Sequence, residues 1–286
     1  MTADPTAPSL TETLDAIVAR FSGRVGYAFG NLSTSERLTH DADTELPTAS
    51  AIKMPILTAL HAHAQRTGLD WDAPIPVNRV DIAPGSGILQ YLSRDLQLSY
   101  RDLAWLMICL SDNTATNLVI DAMGREHAAE LIAELIDPAI RLRGGAGASF
   151  DTAYPSMGYA TAGALGRYLD RLAADELPGA TETIAVAGQQ VFESMLPRYL
   201  PQSPDAAVPL TIAHKTGALQ GVRTDIGIVS SATTTVTVAV LTADSKDRTY
   251  DAITEGALCI GALTYAVCRA WLGVSSGAGD AALESI

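Results

Sequence analysis

Residues 46–57 read LPTASAIKMPIL, and the spacing of one serine and one lysine in this stretch decides how the chain is interpreted. The apolar run predicts that a helix begins near Ser50. Residues three apart share a helix face, so Lys53 is expected to point its amine back at the Ser50 hydroxyl. At a helix N-terminus, free N–H groups and the helix dipole favour negative charge developing on a reacting serine. A desolvated lysine can activate such a serine, although a capping serine beside a solvated lysine is a common alternative.

A polar triplet, Ser111, Asp112 and Asn113, follows the strongly apolar segment DLAWLMICL at residues 102–110. These residue types are preferred helix caps, so the triplet taken alone predicts a cap and loop. A hydroxyl, a carboxylate and an amide presented together also suit proton transfer and the binding of a substrate amide. Both interpretations stay open for the isolated triplet.

A second lysine, Lys215, precedes Thr216 and Gly217 inside the strand-like run PLTIAHKTGA at residues 209–218. A glycine within a strand lets a ligand or another backbone come close. The ammonium and the threonine hydroxyl suit a substrate carboxylate, whereas an ordinary edge strand with a solvated lysine is the alternative. The chain has only three lysines against sixteen arginines. Since a crowded lysine can release its proton and an arginine cannot, the placement of Lys53 and Lys215 inside motifs favours chemistry.

The order of predicted elements is a helix, two strands, a block of helices, three strands and a helix. Residues 9–22 predict the first helix, and GRVGYAFGNL and ERLTHDAD predict two strands. Residues from about 50 to 200 are helical, PLTIAHKTGA, TDIGIVSSA and TTVTVAVLTA predict three strands, and a final helix covers about 251–272. The tail after residue 272 is predicted to be loose.

This order predicts an α/β (α+β) fold. A five-stranded antiparallel sheet, flanked by the terminal helices, carries an inserted all-helical lobe. Residues 1–286 would form a single domain, with an α/β lobe at about 9–49 and 205–272 and a helical lobe at about 50–204. The cleft between the lobes is the expected place for a site.

Composition narrows the function classes. Hydrophobic residues make up 48% of the chain, charged residues 18%, and the net charge is −13. That charge disfavours nucleic acid and anionic membranes as partners. The N-terminus lacks the basic and apolar regions of a signal peptide, so a cytoplasmic location is expected. Cys109, Cys259 and Cys268 are expected to be reduced core thiols. No metal or cofactor is expected, because metal-binding motifs are absent and His61 and His63 cannot share an ion.

The three motifs S-x-x-K, S-D-N and K-T-G occur once each, in this order, at separations of 61 and 104 residues. They are the signature set of class A β-lactamases and penicillin-binding proteins. From residue 9 to residue 272 the chain therefore resembles the class A β-lactamase branch of the penicillin-recognising superfamily.

The resemblance implies a β-lactamase/transpeptidase-like fold and four catalytic residues. Ser50 would attack an amide or lactam carbonyl and form an acyl-enzyme, with Lys53 as its base, directly or through a water. Ser111 would carry the proton to the leaving nitrogen, and Lys215 would polarise that hydroxyl.

The resemblance also implies a set of substrate-binding residues for a small molecule that carries a carboxylate. The N–H groups of Ser50 and Ala218 would form the oxyanion hole, typically worth about 3–4 kcal/mol per donor. Arg223 stands close to where class A enzymes often keep a carboxylate-binding arginine, with Asp225 as its possible ion-pair partner. The complete set is Asn113, Thr216, Gly217, Ala218 and Arg223.

One family feature is missing. Class A β-lactamases place a glutamate in an E-x-x-L-N motif, on a loop after the second motif, to activate the deacylating water. The corresponding stretch at residues 140–161, IRLRGGAGASFDTAYPSMGYAT, contains no glutamate. Its only acid is Asp151, and either Asp151 or Tyr154 would have to reach the water in order to replace that glutamate. We therefore expect weak or atypical deacylation.

Three functions remain open at this stage. The first is a hydrolase of amide, ester or β-lactam bonds. The second is an acyl-transferase, amidase or peptidase acting on D-amino-acid compounds, in which an amine can replace water. The third is a protein that β-lactams acylate without turnover.

Overall fold

A five-stranded antiparallel sheet forms the frame of the molecule. The computed structural model describes residues 8–93, 95–147 and 156–285. Within them the strands follow the order β2-β1-β10-β9-β8 across the sheet. Their bounds are β1 Arg24–Asn31, β2 Arg37–His40, β8 Thr211–Leu219, β9 Val222–Ser230 and β10 Thr235–Ala243. The predicted five-stranded sheet is confirmed, and β8, which carries the third motif, is an edge strand.

Two terminal helices cover one face of this sheet. Helix α1 (Leu10–Arg20) begins at a capping box in which Ser9 and Glu12 satisfy each other's backbone N–H groups. Helix α8 (Glu255–Leu272) starts after the cap Thr254 and is buried along most of its length. Both helices and the sheet residues beneath them form one hydrophobic cluster. This packing confirms the predicted terminal helices.

The chain after α8 forms a further helix, α9 (Gly277–Glu284), where the sequence predicted a loose tail. Ser276 caps α9, and the buried Tyr265 hydroxyl donates to Asp280 at 2.7 Å. Because these contacts anchor the segment to α8, it is ordered despite its many small residues. In the part of the chain that the structure describes, no single helix is long and apolar enough to cross a membrane. Only α8 and α9 together pass that test, and they are bent by 115°.

The opposite face of the sheet carries the helical lobe. Its central helix, α2 (Lys53–Thr67), buries ten of its fifteen residues, which explains its apolar sequence on all sides. The other helices are α3 Tyr100–Cys109, α4 Asn113–Met123, α5 Arg125–Leu131, α6 Ala162–Ala173 and α7 Ala180–Ala187. All of them lie in the stretch from about 50 to 200 that was predicted to be helical, and α5 is followed by a π-helical turn at Ile132–Ile136.

Short strands connect the loops of this lobe. They were not predicted from the sequence. Strands β3 (Glu45–Pro47), β7 (Gly158–Thr161) and β6 (Arg141–Leu142) form a small sheet. Strands β4 (Ile75–Val77) and β5 (Leu96–Leu98) form a pair. Segments of two to four residues are too short to show an alternating pattern.

One segment packs with a different lobe from the one proposed on sequence. Met195, Leu196 and Leu200 lie inside the cluster under α1 and α8, although residues up to about 204 were assigned to the helical lobe. The helical layer proper therefore ends near α7. The connection from α7 to β8 therefore returns to the face of the sheet that α1 and α8 cover.

Candidate active site

Ser50 lies in a tight turn directly in front of α2. Residues Ala49–Ile52 form a 3₁₀ turn, and the α-helix begins only at Lys53, later than predicted. A 3₁₀ turn has three residues per turn, so Ser50 and Lys53 still share one side. Ala49 adopts a φ of 46°, a left-handed conformation that is unfavourable for alanine. Such strain is characteristic of functional sites, and here it fixes the direction of the Ser50 backbone.

The Lys53 amine is the centre of the site. It is fully buried and donates to Ser111 O at 2.8 Å, Ser111 Oγ at 3.1 Å and Asn113 Oδ1 at 3.0 Å. The sequence predicted that this amine points at the Ser50 hydroxyl. In the structure its three bonds go to the second motif instead, and Ser50 Oγ bonds to no described residue. Lys53 thus joins the first two motifs, and Ser50 is partly exposed.

Burial holds the pKa of Lys53 well below its usual value. The nearby Lys215 ammonium lowers this pKa further, whereas Asp112 opposes the shift. A neutral amine has two hydrogens and one lone pair. The lone pair can accept a proton from the Ser111 hydroxyl, so the Lys53–Ser111 contact is a path along which a proton can move in either direction.

Lys215 is the second buried amine and donates to Thr216 O at 3.0 Å. Desolvation lowers its pKa to about 7, although Asp225 and the Cys109 thiol favour the charged form. Lys215 was expected to polarise the Ser111 hydroxyl, and no hydrogen bond joins the two in the described chain. Its charge acts on Lys53 through space, as the lowered pKa of Lys53 shows.

The burial of Lys215 predicts a specific dependence of stability on pH. From about pH 7 to 10.5 the unfolded chain binds a proton at residue 215 and the folded chain does not, so this residue makes stability rise with pH. Lys215→Met removes this contribution. The free energy of unfolding of the wild type, minus that of the variant, should rise by about 1.4 kcal/mol per pH unit in this window. Urea denaturation at pH 7.5, 8.5 and 9.5 measures it, and a flat difference would contradict the shifted pKa.

Asp112 supports the site by holding the backbone around it. It caps α4 by accepting from Ala115 N at 2.9 Å. Its second oxygen accepts from Ile88 N at 2.7 Å and Leu89 N at 2.9 Å. The carboxylate therefore fixes the loop before α3 against Ser111, and of the two interpretations of the triplet the capping one describes Asp112.

Asn113 is engaged at both ends of its amide. Its Oδ1 accepts from Lys53 and its Nδ2 donates to Pro84 O at 2.8 Å. To bind a substrate amide, as the sequence analysis proposed, Asn113 must exchange one of these partners. Its position at the cleft beside Lys53 is compatible with that exchange.

The glycine of the third motif brings β8 against the turn that carries Ser50. A Cβ at Gly217 would stand 2.4 Å from Thr48 O and 3.0 Å from Ala51 N. Strands β8 and β9 are joined by a two-residue turn in which Leu219 faces Val222. Alternation along the strand then turns the N–H of Ala218 away from β9, toward the open edge. The Ala218 N–H is therefore free of the β9 ladder, as an oxyanion-hole donor must be.

Gly217→Ala tests this close approach. The added methyl group meets backbone atoms that cannot rotate away, so we expect a loss of about 1–3 kcal/mol in the free energy of unfolding. We also expect at least a roughly tenfold slower acylation, because the oxyanion donors separate. Urea denaturation and stopped-flow kinetics measure the two effects. Gly277→Ala, where an added Cβ meets nothing within 4 Å, is the matched control; equal behaviour of both variants would refute the argument.

Arg223 is not brought into the site. Its guanidinium donates to Leu219 O at 2.8 Å, Val222 O at 2.7 Å and Thr249 O at 2.6 Å, and lies over the Tyr250 ring. These contacts lie on the α8 side of the sheet and occupy the guanidinium with backbone carbonyls. The structure thus places this residue in the hairpin that supports β8, not where a substrate carboxylate would bind.

Asp225 pairs with a histidine and not with Arg223. His214 Nδ1 lies 3.0 and 3.1 Å from the two Asp225 oxygens, and Leu196 N donates to Asp225 at 2.9 Å. All of this is buried. This pairing was not predicted from the sequence. It follows from the register of the two strands, in which the cross-strand partner of Asp225 is Thr216, two residues from His214 on the same face.

The loop that lacks the family glutamate is held against α4. Asn117 donates to Ala146 O at 2.9 Å and accepts from Ala146 N at 2.8 Å. A Cβ at Gly147 would stand 3.3 Å from the Asn113 amide nitrogen, so this part of the loop borders the site. Asp151 and Tyr154, the candidate replacements for the glutamate, lie outside the described residues. Across residues 8–93, 95–147 and 156–285, no group of three or more His, Cys, Asp or Glu could hold a metal ion.

Residues 9–271 match the family model described as Beta-lactamase enzyme family. This chain belongs to the β-lactamase enzyme family. The family resemblance inferred from the three motifs is thereby confirmed.

Solved structures agree with this assignment. A β-lactamase from Sphaerobacter thermophilus superposes with a TM-score of 0.83 at 27% identity, covering 93% of this chain and 98% of that one. The structure of a protein named PBP-A superposes with a TM-score of 0.78 at 24% identity, covering 96% and 100%. The second likeness shows the fold alone. Together they confirm the β-lactamase/transpeptidase-like fold.

Curated relatives of this β-lactamase family member align over a shorter stretch. Beta-lactamase L2 of Stenotrophomonas maltophilia is 27% identical over 139 residues, which are 48% of this chain and 45% of that protein. A β-lactamase of Rhodobacter capsulatus is 25% identical over 141 residues, 49% and 48% of the two chains. The match thus spans about half the length of each curated relative.

Proposed function

We propose that this chain is a serine acyl-hydrolase that opens amide or β-lactam carbonyls through an acyl-enzyme on Ser50 and releases the acyl group slowly. One observation carries the proposal: a buried lysine with a lowered pKa stands one turn from a serine whose hydroxyl has no partner among the described residues, and this lysine bonds to a second serine hydroxyl. Neither a helix-capping serine nor a solvated lysine requires that arrangement.

Acylation follows from these contacts. Neutral Lys53 takes the Ser50 proton, directly or through a water, as the oxygen attacks the carbonyl carbon. The N–H groups of Ser50 and Ala218 stabilise the oxyanion. When the C–N bond breaks, the proton passes from Lys53 through the Ser111 hydroxyl, 3.1 Å away, to the leaving nitrogen. Lys53 is neutral again and Ser50 carries the acyl ester.

The substrate is a small molecule with a carboxylate. The ammonium form of Lys215 supplies positive charge beneath the cleft, and Thr216 offers its hydroxyl from the edge strand. The net charge of −13 makes such local positive charge necessary for an anionic substrate. Binding of the carboxylate should therefore weaken as Lys215 loses its proton above about pH 7.

Release of the acyl group is the step for which the chain lacks the family's usual base. The described parts of the loop, residues 140–147 and 156–161, contain no carboxylate. A general base must reach the water it activates. Slow deacylation, with Asp151 or Tyr154 as the remaining candidates to orient a water, is the consequence we propose.

Transfer of the acyl group to an amine, as in a D-amino-acid peptidase or acyl-transferase, is the second candidate. The lack of a carboxylate in the described parts of the loop, residues 140–147 and 156–161, favours it as well. A protein that stays acylated without turnover is the limiting case of the same chemistry.

Pre-steady-state kinetics separates these functions. Stopped-flow mixing with a chromogenic cephalosporin should show a burst equal to one product per chain, followed by a much slower steady rate. Added D-alanine should leave that rate unchanged for a hydrolase and accelerate it for a transferase. Fast linear turnover without a burst would contradict slow deacylation, and the absence of both phases would contradict β-lactam acylation.

A further inference from the structure

A cavity of about 580 Å³ lies at the outer edge of β8, outside the catalytic cleft. Its walls are α7, residues of the 188–202 connection and the first half of β8. Ser50, Lys53 and Ser111 do not line it. Its volume lies within the range of small-molecule sites, about 300–1,000 Å³. The cavity is therefore a separate candidate site.

A buried histidine with an unused nitrogen lines this cavity. His214 is 3% exposed, and its Nδ1 is held by Asp225. Because Asp225 occupies Nδ1, Nε2 is the ring nitrogen left for a ligand. Nε2 bonds to no described residue, and it is not among the fully enclosed polar atoms that lack a partner. Within the described residues Nε2 thus has no partner, and His214 is one of the residues that line the cavity.

The polarity of His214 favours a ligand that donates hydrogen bonds. The Asp225 carboxylate behind the ring makes Nε2 a stronger acceptor, as a carboxylate does for a metal-binding histidine. The backbone of β8 adds to this, because Ile212 and His214 turn their C=O and N–H groups to the free edge. Gly188 stands against the Ile212 carbonyl, at 3.8 Å from a Cβ built there. No β-strand covers this edge in the described chain.

The charge of the lining favours a cation. Among the described residues that line the cavity, Glu193 is the one carboxylate, and none is a lysine or an arginine. The remaining polar groups are mostly uncharged amides and hydroxyls. Apolar side chains complete the walls: Ile184, Leu210, Ile212 and Ile228. Such a lining selects an apolar body with a positively charged donor and rejects an anion.

We propose that this cavity binds a small cationic amine with an apolar body, which donates an N–H to His214 Nε2 and is attracted by Glu193. The ligand class differs from the carboxylate-bearing substrate of the catalytic cleft. The two sites therefore take ligands of opposite charge.

Titration with matched probes tests the proposal on the full chain. Phenethylamine, phenethyl alcohol and hydrocinnamate share a phenyl body and differ in charge. Isothermal titration calorimetry should give phenethylamine an affinity at least about tenfold higher than that of hydrocinnamate, because the lining is negative. Equal affinities, or tighter binding of the anion, would overturn the proposal.

Two variants and one control test whether the amine binds in this cavity. Glu193→Gln should weaken phenethylamine about threefold to tenfold and leave the alcohol unchanged, as expected for one partly solvated charge. Glu36→Gln removes the same charge at the opposite edge of the sheet and should have no effect on binding. This variant controls for the general attraction of a cation to an acidic protein. Equal losses in the two variants would overturn the site.

His214→Asn disturbs a buried pair and is expected to lower stability, so a direct signal from the wild type is also needed. The ring Cε1–H resonance of His214, assigned by its absence in His214→Asn, should shift on titration with phenethylamine. A resonance that does not move while the amine binds would overturn the role of His214.

Discussion

Replacing Ser50 by alanine is expected to abolish covalent labelling by benzylpenicillin and to bring hydrolysis of a chromogenic cephalosporin close to the uncatalysed rate. Losses of about 10⁴–10⁶ in kcat accompany removal of a serine nucleophile in enzymes of this mechanistic type. The Ser50 hydroxyl bonds to no described residue. The free energy of unfolding should therefore change little, and the loss can be attributed to chemistry.

The control for this variant is Ser33→Ala in the connection between β1 and β2, which should retain full activity. Thermal unfolding of both variants should stay close to that of the wild type. If Ser50→Ala kept its labelling or its turnover, another nucleophile would act, and the proposed mechanism would fail.

Replacing Lys53 is expected to have the second largest effect. Neither arginine nor methionine can take the Ser50 proton at this position. General-base catalysis typically contributes about 10²–10⁴, so acylation should slow by that factor in both variants. Stopped-flow measurement of the burst rate at saturating cephalosporin gives this number directly.

Lys246→Met is the matched control, because Lys246 is exposed and far from the motifs in sequence. It should acylate at the wild-type rate. The burst amplitude distinguishes slow chemistry from misfolding: a slow but complete burst indicates folded protein with an impaired base. Wild-type acylation in Lys53→Met would rule out lysine as the base and leave Ser111 or a water in that role.

Much of this account could be predicted from the sequence, because its decisive features are local. The long hairpin strands have a sequence pattern that is recognisable as strand. The five-stranded sheet was predicted from that pattern. Ser50, Lys53, Ser111 and Lys215 were found through their motifs, since each motif had the expected structural context. Gly217 was also interpretable, because a glycine inside a strand indicates close approach.

Other features depend on three-dimensional geometry that no local pattern contains. The direction of the Lys53 amine is set by which acceptors surround it after folding, and these come from a segment 58 residues away. The orientation of Arg223 follows from the pleat of β9 and from carbonyls after β10, which motif spacing does not reveal. The pairing of His214 with Asp225 required the register of β8 and β9.

The central claim is that Ser50 is acylated and that its ester persists, and a time course of intact-mass spectrometry tests it most directly. After mixing with benzylpenicillin, the chain should gain the mass of one penicilloyl group on the timescale of the burst phase. Peptide mapping should place that group in the segment containing Ser50, and the adduct should decay far more slowly than it forms. An adduct on another residue, or rapid penicillin consumption with no adduct at any time, would contradict the account.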